Sequence, residues 1–147
     1  KDEIVEKNFK HYELLGKSWF LAQHIPQALS SYETASKYSD NGEIQYLIGS
    51  TYLDLGQDMM AYKASLKAEK KGDIKKPNAN YATMGNALLN MHCYKDAVSV
   101  FQKSLKIAKD TKSKHILKQW IQYADAEGTK LGKLRDVGYK VPSCSKA

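Results

Sequence analysis

The chain has 147 residues, of which 42% are apolar and 27% charged, with a formal net charge of +7 and two cysteines. That balance describes one globular domain and excludes a disordered segment. No apolar run reaches the roughly 18 residues of a membrane-spanning helix, and two cysteines are too few for a disulfide framework.

A first helix is predicted over 2–22, where Ile4, Val5, Phe9, Tyr12, Leu15, Trp19 and Phe20 recur at helical spacing. Asp2 and Glu3 in its first turn suit the positive end of the helix dipole. Pro26 opens a second helix over about 26–38, and the run Ser39 to Gly42 stops it with turn chemistry. A third helix over about 43–55 turns Ile44, Leu47, Ile48 and Tyr52 inward, and a fourth over about 57–70 shows Ala61, Ala64 and Ala68. Lys70, Lys71 and Gly72 close the fourth as cations and a glycine close helices generally. Pro77 and Asn78 open a fifth over about 78–91, and Tyr94 a sixth over about 94–109. A seventh over about 113–127 has Ile116, Leu117, Trp120, Ile121 and Ala124 on one face and a polar opposite face. Residues 128–147 are expected as a loosely held tail with a short turn near 131–135. The chain starts at Lys1 without a basic-then-apolar leader, as a fragment or processed product would.

One spacing recurs three times. Gly16, Gly49 and Gly85 are each followed twelve residues later by Ala28, Ala61 and Ala97, and sixteen later by Tyr32, Ser65 and Phe101. Leu15, Ile48 and Met84 precede the glycines, and Trp19, Tyr52 and Leu88 follow three residues on. Small residues at such rungs let paired helices approach closely while large ones fill the gap to the next pair. The pattern resembles the tetratricopeptide repeat. It implies an all-α, right-handed α-solenoid of three helical hairpins (about 2–38, 43–70 and 78–109), with the seventh helix as its polar-faced cap. Gln45 and Ser65 stand at positions usually bulky in that repeat, and Asp40 stands where its terminating proline falls.

The linker KKGDIKKPNANY, the stretch MGNALLNMHCYKDAVSVF and the closing residues Gln119, Trp120 and Tyr123 are similar to tetratricopeptide proteins associated with the TonB energy-transduction system of Gram-negative bacteria. That resemblance implies a periplasmic accessory protein beside TonB, ExbB and ExbD, and no catalytic residue.

Charge is unevenly spread. Residues 1–62 hold five lysines and nine acids, whereas 63–118 hold thirteen lysines and four acids, and Arg135 is the sole arginine. Arginine is the usual reader of phosphate and guanine because its fork is planar and bidentate, so this surface fits sequence-specific nucleic-acid binding poorly. A solvated face is the plain reading, and an acidic partner or membrane surface the other. His11, His24, His92 and His115 lie in different segments, and no phosphate loop, zinc spacing or nucleophile constellation occurs. Cys93 beside His92 would need two further ligands to hold a metal. Cys93 and Cys144 are expected as free thiols on an exposed turn and tail, with a tail-to-body disulfide open to an exported parent.

Function therefore reduces to a binding surface, with no enzyme activity, cofactor, metal or small-molecule substrate expected. In the resemblance, the first helix of each hairpin lines a concave groove. Its candidate partner-binding residues are Lys17, Phe20, Tyr46, Ser50, Leu53, Asp54, Asn86 and Asn90, beside Glu13, Leu21, Ala82 and Thr83. Asn86 and Asn90 are four apart and share a face, where amides both donate to and accept from an extended peptide. The chaperone-tail carboxylate clamp of this class is not expected, because Glu13 and Ser50 occupy its positions. The expected partner is a peptide or protein, TonB-system components included; homo-oligomerisation through an exposed end is the structural alternative.

Overall fold

The computed structural model describes residues 2–146. Seven α-helices and no strand occur among the described residues: α1 (Asp2–Leu21), α2 (Ile25–Tyr38), α3 (Gly42–Asp54), α4 (Asp58–Lys71), α5 (Pro77–Asn90), α6 (Tyr94–Ile107) and α7 (Thr111–Asp136). The chain divides into two compact units, one ending at Lys76 and the other starting at Pro77. In the first, α1 packs on α2, α2 on α3, and α3 on α4; in the second, α5 packs on α6 and α6 on α7. The result is three helical hairpins and a capping helix.

The hairpins share a backbone as well as a spacing. Seven residues after each repeated glycine, the turn places a residue at positive φ: Gln23 at 64°, Gly56 at 74° and His92 at 61°. The next amide closes the turn by reaching back to a carbonyl in the first helix. His24 N donates to Trp19 O at 2.9 Å, Gln57 N to Tyr52 O at 2.9 Å, and Cys93 N to Leu88 O at 2.8 Å. These bonds satisfy carbonyls that a helix end otherwise leaves unpaired. Two of the three turns achieve this without glycine, which conceals the third component of the repeat from the sequence.

The glycines themselves admit the neighbouring helix. A Cβ at Gly16 would lie 2.5 Å from the Tyr32 ring, and one at Gly85 would lie 2.5 Å from Phe101 Cζ. Gly49 faces the smaller Ser65, whose Oγ would stand 3.0 Å from such an atom. In the first unit Ala28, Tyr32, Ala35, Ile44, Ile48 and Ala64 form the buried cluster, with Trp19, Phe20, Leu47 and Tyr52 packed against it. In the second, Met84, Ala87, Leu88, Ala97, Val100 and Phe101 are buried.

The departures at Asp40 and Gln45 explain each other. Gln45 is buried and donates its side-chain amide to Asp40 Oδ1 at 2.5 Å, while Lys71 and Lys67 approach Asp40 Oδ2 at 3.4 and 3.8 Å. Burial alone pushes the Asp40 carboxyl up; the Gln45 bond and the two lysines outweigh it and hold the group below its ordinary value. A carboxylate depressed in the folded state adds stability above the ordinary carboxylate range and loses it as pH falls through the folded value. The cluster is more than a third exposed, so the contribution is below about 1 kcal/mol. Accordingly, the urea midpoint should fall further between about pH 7 and about pH 3 in the wild type than in Asp40→Asn. Equal falls would remove this role.

Two expectations for the C-terminal part are corrected. The capping helix does not end near 127, and 131–135 is not a separate turn: α7 is one helix of 26 residues to Asp136. Gly128 does not break it, because the backbone there runs close to α6, where a Cβ would stand 3.2 Å from Tyr94 Cβ. Leu131 and Leu134 are half-buried and continue the stripe. Nor are the cysteines free. Cys93 is buried and bonded to Cys144 across 51 residues of sequence, so the remaining tail is tied to the α5–α6 turn. Ser145 N donates to Met91 O at 3.2 Å, and Lys146 Nζ donates to Asp96 Oδ2 at 2.6 Å.

Candidate functional site

In the first unit, α1 and α3 carry most of the candidate residues. Lys17 is half-buried and pairs with Glu13, one turn earlier, at 3.9 Å. Tyr32 of α2 is buried beneath this face, and Glu13 of α1 and Tyr46 of α3 both act electrostatically on its phenol. Burial first, then the charge of Glu13 and the neighbouring Tyr46, push its pKa up to about 12. Tyr46 is half-buried and is itself raised by burial and by Glu43. Both phenols therefore remain protonated donors at neutral pH. The face combines a carboxylate, an ammonium and the Tyr46 hydroxyl donor, which suits the polar backbone of a peptide better than a purely apolar ligand.

The remaining candidates of this unit differ in availability. Phe20 is half-buried and packs against the core cluster, so much of its ring serves the fold. Ser50 is half-buried and its hydroxyl donates to Leu47 O at 3.2 Å, which leaves it an acceptor. Leu53 is half-buried, and Asp54 is exposed at the last position of α3. Leu21 is exposed at the end of α1.

In the second unit, Asn86 is half-buried and Asn90 exposed at the end of α5, and Ala82 is exposed. Thr83 is not on this surface: it is buried, and its hydroxyl donates to Ala79 O at 3.1 Å. An aromatic row on α6 and α7 went unforeseen. Phe101 and Trp120 ring centres are 6.0 Å apart, and Trp120 and Tyr123 meet edge to face at 6.3 Å. Burial, then Tyr123 and Glu127, raise the Tyr94 phenol, whose oxygen is 3.3 Å from His92 Nδ1.

The arrangement around Cys93 brings one atom each of Cys93, Asp96 and Cys144 within 4.8 Å of one another. The two sulfurs are joined to each other and Asp96 is engaged by Lys146, so the oxidised protein presents no thiolate there. No helix among the described residues is long and apolar enough to cross a membrane. No model of a known protein family matches the chain, and no curated protein matches it in sequence.

Proposed function

We propose that the chain is a non-catalytic, tetratricopeptide-like scaffold that holds a peptide or protein partner against the first helices of its hairpins. The observation that carries this reading is the α1–α3 face of the first unit. There the Lys17–Glu13 pair and the half-buried Tyr46 phenol are held by packing without being consumed by it. On α5, Asn86 and Asn90 offer a second polar patch. Support for the repeat class comes from the thrice-repeated glycine and from the positive-φ residue seven positions after each.

The narrower proposal is a periplasmic accessory of TonB-dependent transport. Its support is the linker and the closing Gln119, Trp120 and Tyr123, together with a disulfide that suits an oxidising compartment. Affinity capture with TonB-system proteins as prey tests both levels, using the wild type and a Tyr46→Ala, Asn86→Ala, Asn90→Ala variant. The expected result is a captured partner whose recovery drops at least tenfold with the variant, as for loss of central contacts. Equal recovery by both proteins overturns the surface assignment. Recovery of no TonB-system protein overturns the narrower reading and leaves the surface open to another partner.

A further inference from the structure

A basic end of the second unit, distinct from the α5 amides, has no part in that reading. Between residues 106 and 118 the chain carries Lys106, Lys109, Lys112, Lys114 and Lys118, all exposed, with His115 among them. Among the described residues, none of these five lysines takes part in an ion pair. The single acid in the stretch, Asp110, is occupied as the cap of α7, where its Oδ2 accepts from Ser113 N at 2.8 Å. These residues belong to the last turn of α6, the α6–α7 connection and the first turns of α7. At 1.5 Å per residue, the whole cluster therefore lies within about two helical turns of one end of the hairpin.

Two aliphatic side chains in the same region are partly exposed. Ile107, the last residue of α6, is 45% exposed, and Ile116 in the second turn of α7 is 41% exposed. A merely solvated lysine face has no need of part-exposed isoleucines beside it, Ile107 next to Lys106 and Ile116 one turn beyond Lys112. A polyanion read by charge gains nothing from them either, and the stretch contains no arginine to grip phosphates bidentately. A surface that is both anionic and apolar just beneath uses both kinds of group. Ammonium groups meet the headgroups while short branched side chains enter the acyl boundary. We infer that the α6–α7 end of this protein binds an anionic lipid surface through Lys106, Lys109, Lys112, Lys114 and Lys118, with Ile107 and Ile116 entering the interface.

The expected strength follows from the number of groups. Each lysine near an anionic bilayer surface contributes roughly fivefold in binding, and the effect fades as salt shortens the Debye length. Removing three lysines should therefore weaken binding on the order of a hundredfold. All five lysines are exposed and neither isoleucine belongs to the buried core, so serine in their place leaves the core residues untouched.

The test is co-sedimentation of the full chain with vesicles of phosphatidylcholine alone and of phosphatidylcholine mixed with phosphatidylglycerol, at low and high salt. A parallel arm uses duplex DNA and polyglutamate as soluble polyanions. The expected result is binding to the anionic vesicles alone, weakened by salt, lost in Lys109→Ser, Lys112→Ser, Lys114→Ser, and reduced severalfold in Ile107→Ser, Ile116→Ser. Polyanion binding, where it occurs, should be unchanged by the isoleucine variant. Vesicle binding that survives the lysine variant, or that the isoleucine variant leaves unaltered, overturns the inference. So does an absence of binding to anionic vesicles at low salt. Because the variants spare Tyr46, Asn86 and Asn90, partner capture by the α1–α3 and α5 surfaces should persist in them, which keeps the two functional readings separable.

Discussion

Reducing the Cys93–Cys144 bond is expected to lower the stability of the protein by up to about 4 kcal/mol. The cross-link joins residues 51 apart, and closing a loop of that length removes roughly this much conformational freedom from the unfolded chain. Native strain and residual structure in the unfolded chain bring such values down, so about 2–4 kcal/mol is the expected range. What remains of the tail's attachment after reduction is small. The Ser145 N–Met91 O bond and the exposed Lys146–Asp96 pair each contribute on the order of 1 kcal/mol or less. The tail after α7 should then detach, and a protease that cuts after lysine should cleave at Lys140 in the reduced chain well before the oxidised one. Cys144→Ser should reproduce both the shift in urea midpoint and the cleavage, since Cys144 is exposed and its loss opens no cavity. Coincident urea curves for oxidised and reduced protein would show that the bond contributes nothing to the folded state's advantage.

How far the sequence reaches can be judged from the residues on either side of that bond. Gly16, Gly49 and Gly85 announced the hairpins because a helix pair that approaches closely requires a small residue at the same rung, whichever ring covers it. Turn geometry was hidden where Gln23 and His92 adopt a conformation usually left to glycine. The opposite error arose at Gly128 and Gly132, which look like breakers. About 1 kcal/mol of helix propensity per glycine is outweighed here by the stripe through Leu131 and Leu134 and by close contact with Tyr94. The pairing of Cys93 with Cys144 could not be inferred from spacing, since a separation of 51 positions places no constraint on where a tail returns. For the surface, helical spacing separates inside from outside but not two flanks of one helix. Hence Lys17, Asn86 and Asn90 reach solvent as anticipated, whereas Thr83 is buried and Phe20 is largely absorbed by the core.

Gly42→Ala is expected to destabilise the first unit by about 1–3 kcal/mol, the range for forcing extra volume into a packed site. Turn chemistry alone assigned this glycine to stopping α2, but its structural task is different. It is the first residue of α3, its φ is not positive, and it is buried against the chain that leaves α4. A Cβ there would overlap the Gly72 carbonyl oxygen and stand 3.1 Å from Ala68 O. Neither atom can retreat easily. Gly72 N donates to Ala68 O at 3.0 Å, the backbone passes through positive φ at both Gly72 and Asp73, and Lys75 N donates to Glu43 Oε1 at 3.1 Å. The linker is thus pinned to the start of α3 at several points, and an added methyl must displace it as a whole. Gly132→Ala is the matched control. It lies inside α7 with nothing within 4 Å of the added atom, so it should stabilise by up to about 1 kcal/mol through helix propensity. Urea midpoints that move in opposite directions for the two alanines are the expected outcome. A Gly42→Ala midpoint equal to or above that of the wild type would mean that the linker does not rest on α3 in solution.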